Sequence, residues 1–202
     1  MKNLLVCFQI IILLACSSKK SSDSRLIDST AQQKSSRKEY TVIQEQSQPD
    51  SLKGSLQAEA FGKIGDATIK IRYYSPAVRG RIIWGGLVPF DRVWVTGAHS
   101  ATSIEFSRDL VIEGKTIAAG KYAFFTIPTK KDWTIILNKN WRQHLTDQYD
   151  EKQDVVRITT TPEIEDKNQE RLRYLIEKES DSKGEIVMYW EKIEISLPFK
   201  IK

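Results

Sequence analysis

Alternation of apolar and polar side chains is the feature that most restricts how this chain can fold. Ala67-Thr68-Ile69-Lys70-Ile71-Arg72-Tyr73-Tyr74 sends alternate side chains to an apolar face, the period of a strand with one side buried. Thr102 to Phe106 alternates again. Leu110-Val111-Ile112 and Lys115-Thr116-Ile117 flank Glu113-Gly114, a two-residue link in which glycine supplies a hairpin turn. Ala119-Gly120-Lys121 is a second turn, and the aromatic strand Tyr122 to Ile127 stops at Pro128. Lys130-Lys131-Asp132 turns the chain into Trp133 to Leu137. Val155 to Thr160, Leu172 to Glu177 and Glu185 to Trp190 read as further strands, the last two joined through Ser182-Lys183-Gly184. Ile193 to Ile195 and Phe199 to Ile201 close the chain, and Asn140 to Gln148 reads as the one short helix. Short strands with turns between them predict a mainly β fold: an antiparallel β-sandwich or barrel-like single domain.

The N-terminus carries an address. Leu4 to Leu14 is apolar except for Gln9 and follows a basic start at Lys2. A bilayer span needs about 20 apolar residues, so this run suits the core of a secretory signal. Leu13-Leu14-Ala15-Cys16 at its end resembles the bacterial lipobox, in which the cysteine is acylated and becomes the new N-terminus. Residues 1–15 are therefore expected to be a lipoprotein signal peptide and Cys16 the lipidated residue. The resemblance implies an envelope lipoprotein held on a membrane by its acyl chains, on the periplasmic side of the outer membrane. Residues 16–56 are rich in Ser, Gln, Lys and Asp, with few large apolar groups. They read as a flexible spacer, since they cannot bury enough surface to offset ordering entropy. Residues 57–202 form the β-rich domain.

The only two cysteines are Cys7 and Cys16. Cys7 leaves with the signal, so the domain has neither a disulfide nor a thiol nucleophile. The net charge of +5 is a mild excess without a long basic run, and export makes nucleic acid an unsuitable partner. With two histidines, no calcium-loop spacing and no phosphate or dinucleotide fingerprint, neither metal nor cofactor is expected.

Residues 75 to 102 concentrate the unusual chemistry. Gly80, Gly85, Gly86 and Gly97 allow close backbone approach. Arg79 and Arg81 supply planar donor forks suited to carboxylate or phosphate. Trp84 and Trp94 offer flat faces for stacking, and Thr96, His99, Ser100 and Thr102 add short polar groups. Two readings stay open. These residues line a ligand surface, with Arg79, Arg81, Trp84, Trp94, Thr96, His99 and Thr102 in contact. Alternatively the tryptophans fill the core, the glycines shape tight connections, and the arginines pair with Asp91 or Glu105.

The stretch Arg79-Gly80-Arg81, Trp84-Gly85-Gly86-Leu87-Val88-Pro89 and Trp94-Val95-Thr96-Gly97-Ala98 resembles domain-of-unknown-function family 2911. Ala119-Gly120-Lys121-Tyr122, Trp133 to Lys139 and Trp190-Glu191-Lys192 extend the likeness over nearly the whole domain. The resemblance implies a compact β domain and an extracytoplasmic home, and no reaction. Where the family pattern continues with Asn and Glu, this chain has His99 and Ser100. The expected function is a membrane-anchored binding module for a glycan, peptidoglycan fragment or other anionic molecule, held by the 79–102 region. The alternatives are an envelope scaffold that binds a protein partner, and a hydrolase that uses His99.

Overall fold

The computed structural model describes residues 40–202. Residues 1–39, which include the expected signal peptide, Cys16 and the first part of the expected spacer, lie outside the described residues. The strands are β1 (Leu56–Ile64), β2 (Ala67–Ser75), β3 (Ser103–Phe106), β4 (Leu110–Ile112), β5 (Lys115–Ile117), β6 (Gly120–Ile127), β7 (Trp133–Asn138), β8 (Asp154–Thr160), β9 (Glu163–Lys178) and β10 (Lys183–Ile201). They form a six-stranded sheet, β1-β2-β3-β6-β7-β8, and a four-stranded sheet, β5-β4-β10-β9. Every pairing between these strands is antiparallel. The fold is the expected antiparallel β-sandwich.

The alternation sets which side faces in. Ala67, Ile69, Ile71 and Tyr73 of β2 are buried, while Lys70, Arg72 and Tyr74 between them are not. Ile104 and Phe106 of β3, Phe124 of β6 and Ile135 and Leu137 of β7 complete that inner face. Leu172 and Tyr174 of β9 and Ile186, Met188 and Trp190 of β10 meet it from the other sheet. Each fully buried aliphatic or aromatic side chain here contributes about 1.5–3 kcal/mol. The β4–β5 hairpin turns through Glu113 and Gly114 with φ of 46° and 79°, the pair of left-handed residues that a type I′ turn needs.

Two expectations about local structure change. The helix expected over Asn140–Gln148 does not form. Ser100 pairs with His144 in an isolated antiparallel bridge, and Leu145 takes a φ of 45°, so the segment runs as turns. The one helical element among the described residues is a 3-10 turn, Glu151–Gln153, capped by Asp150. The end of the expected spacer is also structured. Thr41 bridges β1 in parallel at Ala58, with Thr41 N–H donating to Gln57 O at 2.9 Å and Glu59 N–H to Thr41 O at 3.0 Å. Ile43 enters the core.

Polar contacts hold the rest of this strap (residues 40–55). Arg171 on β9 is 1% exposed. Its Nε donates to Asp50 Oδ2 at 2.5 Å and its Nη2 to Asp50 Oδ1 at 2.8 Å. The remaining donors reach Leu52 O, Gly54 O and Ser75 O at 2.8, 3.2 and 3.2 Å. One guanidinium thus ties the strap to the end of β2. The hydrogen bond from Arg171 holds the Asp50 carboxyl well below its usual range.

Arg171→Ala leaves the carbonyls of Leu52, Gly54 and Ser75 and the Asp50 carboxylate without this donor, so it is expected to destabilise the fold by about 1–3 kcal/mol in urea unfolding. Because the folded pKa of Asp50 is depressed, its contribution is fully present above the ordinary value of 3.8 and lost as pH falls towards the folded value. Proteolysis within the strap should therefore accelerate below about pH 4 in the wild type, and already at neutral pH in Arg171→Ala.

Candidate functional site

The outer face of the six-stranded sheet is partly covered. Val95, Ala101, Ala123, Phe125 and Ile136 form a second buried cluster there, packed by Trp141, Tyr149 and Val93. Two loops supply the cover. The loop after β2 lays Trp94 beside β6, exchanging Trp94 N–H to Thr126 O at 2.8 Å and Thr126 N–H to Trp94 O at 3.0 Å. The loop after β7 is tied by Asn138 Nδ2, which donates to Asp150 O at 2.9 Å and Asp154 Oδ1 at 2.6 Å. Tyr149 OH donates to Asp154 Oδ2 at 2.7 Å, and Ala101 N–H donates to Gln143 O at 3.0 Å.

Between these loops and the strap the sheet face stays open. The resulting groove has a volume of about 430 Å³, in the range of ligand pockets. Arg72, Tyr74, Ser103 and Lys121 come from the strands, Tyr40 from the strap, and Trp141, Arg142 and His144 from the β7–β8 loop. Arg72 lies 4.7 Å from the centre of the Tyr40 ring and donates to Glu59 Oε2 at 2.8 Å. Lys121 Nζ stands 3.8 Å over the Trp141 ring, and the Arg142 guanidinium lies 4.5 Å from the same ring. Such cation–π contacts contribute about 0.5–1 kcal/mol at exposed sites and fix the charged ends in place.

The lining side chains that carry charge are all cationic, although Arg72 is paired with Glu59 behind them. No carboxylate is among the residues lining the groove. Burial pushes the Lys121 amine below its ordinary value, and the neighbouring charges of Arg72, Arg142 and Lys70 push the same way. Glu105 opposes them from the cross-strand position paired with Lys121. A site that disfavours its own cation in this manner gains from an incoming anion. Among the described residues no group of three His, Cys, Asp or Glu side chains is placed to hold a metal ion.

The residues singled out between 79 and 102 do not converge on one site. Arg79 and Arg81 are exposed at a left-handed turn, φ 50° at Arg79 and 66° at Gly80. Arg79 Nη2 donates to Leu52 O and Arg81 Nη2 to Ala77 O, while Arg81 Nε donates to Val78 O at 3.1 Å. They brace the strap and their own turn through carbonyls, instead of pairing with Asp91 or Glu105. With Gly54, Ser55 and Ala77 they line a separate depression. Trp84 and Trp94 pack against the main core. Trp84 meets Trp133 edge-on at 4.7 Å, and Trp94 stacks on Trp190 at 5.6 Å. Trp94 Nε1 donates to Gly97 O at 3.1 Å. Thr96 and Thr102 are fully buried, with Thr102 Oγ1 donating to Thr96 O at 3.0 Å and Tyr174 OH to the same oxygen at 2.8 Å. Of the residues singled out, Ser100 lines the groove and His99 approaches it, its ring 5.0 Å from that of Tyr74.

Arg72, Tyr74, Lys121, Trp141, Arg142 and Tyr40 were not singled out in the sequence. The signal for three of them is parity: Arg72, Tyr74 and Lys121 occupy outward positions of strands whose inward positions are apolar. Gly97 also has a role there that its neighbours explain. A Cβ on it would meet Thr102 Oγ1 at 2.7 Å and Tyr74 O at 3.1 Å, so the loop can lie this close to β2 only with glycine.

The family described as "protein of unknown function (DUF2911)" matches the chain over residues 55–199. No curated protein and no solved structure matches it.

The depressed ionisation of Lys121 has a chemical consequence. At pH 8, acylation by an amine-selective reagent, followed by peptide mass mapping, should modify Lys121 ahead of the exposed Lys200. Trp141→Ala, which opens the site to water, should remove that lead.

Proposed function

The chain belongs to that family of proteins of unknown function, and from this premise we propose that its β domain is a binding module for an anionic ligand. The ligand sits in the groove over Arg72, Lys121 and Arg142. The observation that carries this reading is a groove with three cationic side chains and no lining carboxylate. Its size suits a small acid, a sugar acid or a peptidoglycan fragment. Trp141 already carries Lys121 on its face, so charge recognition ranks above stacking. The site is placed here and not on Arg79, Arg81, Trp84, Trp94, Thr96 and Thr102, whose hydrogen bonds and packing are taken up inside the domain. His99 stays at the rim.

In this reading the chain is an envelope lipoprotein, acylated at Cys16 and held at the outer membrane facing the periplasm. The lipobox-like Leu13-Leu14-Ala15-Cys16 supports the anchor. Residues 17–39 then lie between the acylated cysteine and the strap. The ligand is accordingly a component of the envelope or of the periplasm.

Titration with citrate, a small polyanion, tests the groove. Binding should be seen by calorimetry, weaken as salt is raised, and drop about tenfold in Lys121→Ala and in Arg142→Ala. Arg81→Ala should leave it unchanged. Equal loss in Arg81→Ala and none in Lys121→Ala would return the site to the 79–102 region.

A further inference from the structure

Two residues of the groove lining, Ser100 and His144, are backbone neighbours, and an acid outside the lining, Asp147, lies against His144. Ser100 and His144 are direct partners in an antiparallel bridge. The flanking bonds are Ala101 N–H to Gln143 O and Leu145 N–H to His99 O, at 3.0 and 2.6 Å. That pattern makes Ser100 and His144 the non-hydrogen-bonded pair, the arrangement with Cα atoms about 4.5 Å apart and side chains closest together. Both line the groove. His144 Nδ1 lies 3.0 Å from Asp147 Oδ2. With the Asp147 carboxylate accepting a hydrogen bond from Nδ1–H, the Nε2 lone pair is free to act as a base.

The backbone on either side is strained. His99 and Leu145, the residues that flank the pair across the bridge, both adopt left-handed φ, 60° and 45°. Histidine is among the residues enriched in this region, whereas a bulky residue such as Leu145 enters it at a cost. Strain of this kind is retained where the surrounding structure over-determines it, often at reacting centres. Lys121 and Arg142 line the same groove and supply positive charge for an acidic substrate.

We propose that Ser100, His144 and Asp147 hydrolyse a carboxylic ester that carries an acidic group, bound in the groove. The inference rests on the anion-binding reading of that groove. Ser100 Oγ attacks the ester carbonyl carbon while its proton passes to His144 Nε2. The bond to the leaving alcohol breaks, and the alcohol departs with that proton. Water then gives a proton to His144 and attacks the acyl carbon, which releases the acid and restores the Ser100 hydroxyl. Asp147 touches only His144 and is a positioning residue. The base is His144, and His99 stays at the rim beside Tyr74.

The test uses the full chain in detergent micelles. A fluorophosphonate probe should form an adduct on Ser100, located by peptide mass mapping and slowed by excess citrate. The adduct should vanish in Ser100→Ala and form about 100-fold more slowly in His144→Gln, while Arg81→Ala, outside the groove, should leave its rate unchanged. The 4-nitrophenyl monoester of glutaric acid should be cleaved faster than neutral 4-nitrophenyl acetate, and Lys121→Ala should erase that preference. Asp147→Asn should lower kcat and leave KM nearly unchanged. No adduct on Ser100 in a protein that still binds citrate overturns the nucleophile and leaves the binding reading standing. An adduct that forms equally fast in His144→Gln also overturns it. Loss of both adduct and citrate binding overturns the two together.

Discussion

A single buried guanidinium decides where the groove can be. Arg171 in β9 is buried beneath the strap, and a charge in that position is tolerable only if its donors are used. They are used on the strap and on the end of β2, through Asp50 and the carbonyls of Leu52, Gly54 and Ser75. That pin brings a polar segment down onto β1, where Thr41 adds a parallel bridge. Tyr40, at the head of the strap, then stands against Arg72 as one wall of the groove. In the lipoprotein reading, the pin also sets where the membrane link enters the domain.

The opposite wall depends on the second buried cluster. A sheet with one face on the core commonly leaves the other to water. Here Phe125 and Ile136 on the outer face are apolar, and the loops that cover them carry Trp94 and Trp141. Cover ends where the outward residues become polar, at Arg72, Ser103 and Lys121. The groove is thus the uncovered remainder of an outer face that changes from apolar to cationic along the same strands. The strained bridge at Ser100 and His144 is the seam where the two covering loops meet.

Much of the sandwich was legible in the alternation of side chains. β2, the β4–β5 hairpin, β6, β7 and β8 each follow runs whose period and turns are local. What was not legible has non-local causes. β1 reads as weakly patterned because Ala58, Ala60 and Gly62 face inward with small side chains; a Cβ on Gly62 would fall 2.6 Å from the Ile176 side chain. β9 and β10 run far longer than their apolar stretches, since β10 passes from one partner to another. Its ladder with β9 ends at Glu194 and that with β4 begins at Lys200, and Pro198, which lacks an N–H, falls in the gap. The strap looked like spacer because a polar segment gives no hydrophobic signal, and its anchor Arg171 lies far along the chain. The segment from Asn140 has helical composition, yet pairing with His99–Ala101 supplies its backbone bonds instead. The same separation hid the groove: its cations come from β2, β6 and a loop, and only the sheet brings them together. The 79–102 signature was legible as unusual, but its tryptophans, threonines and arginines are spent on packing and bracing.

The account turns on an anion bound by Lys121 and Arg142 beneath Trp141. A crystal structure of the chain grown with citrate tests it most directly. Citrate density is expected in the groove, with carboxylates on both cations and the strap in place over Arg72. An empty groove with citrate seated on Arg79 and Arg81 would contradict it.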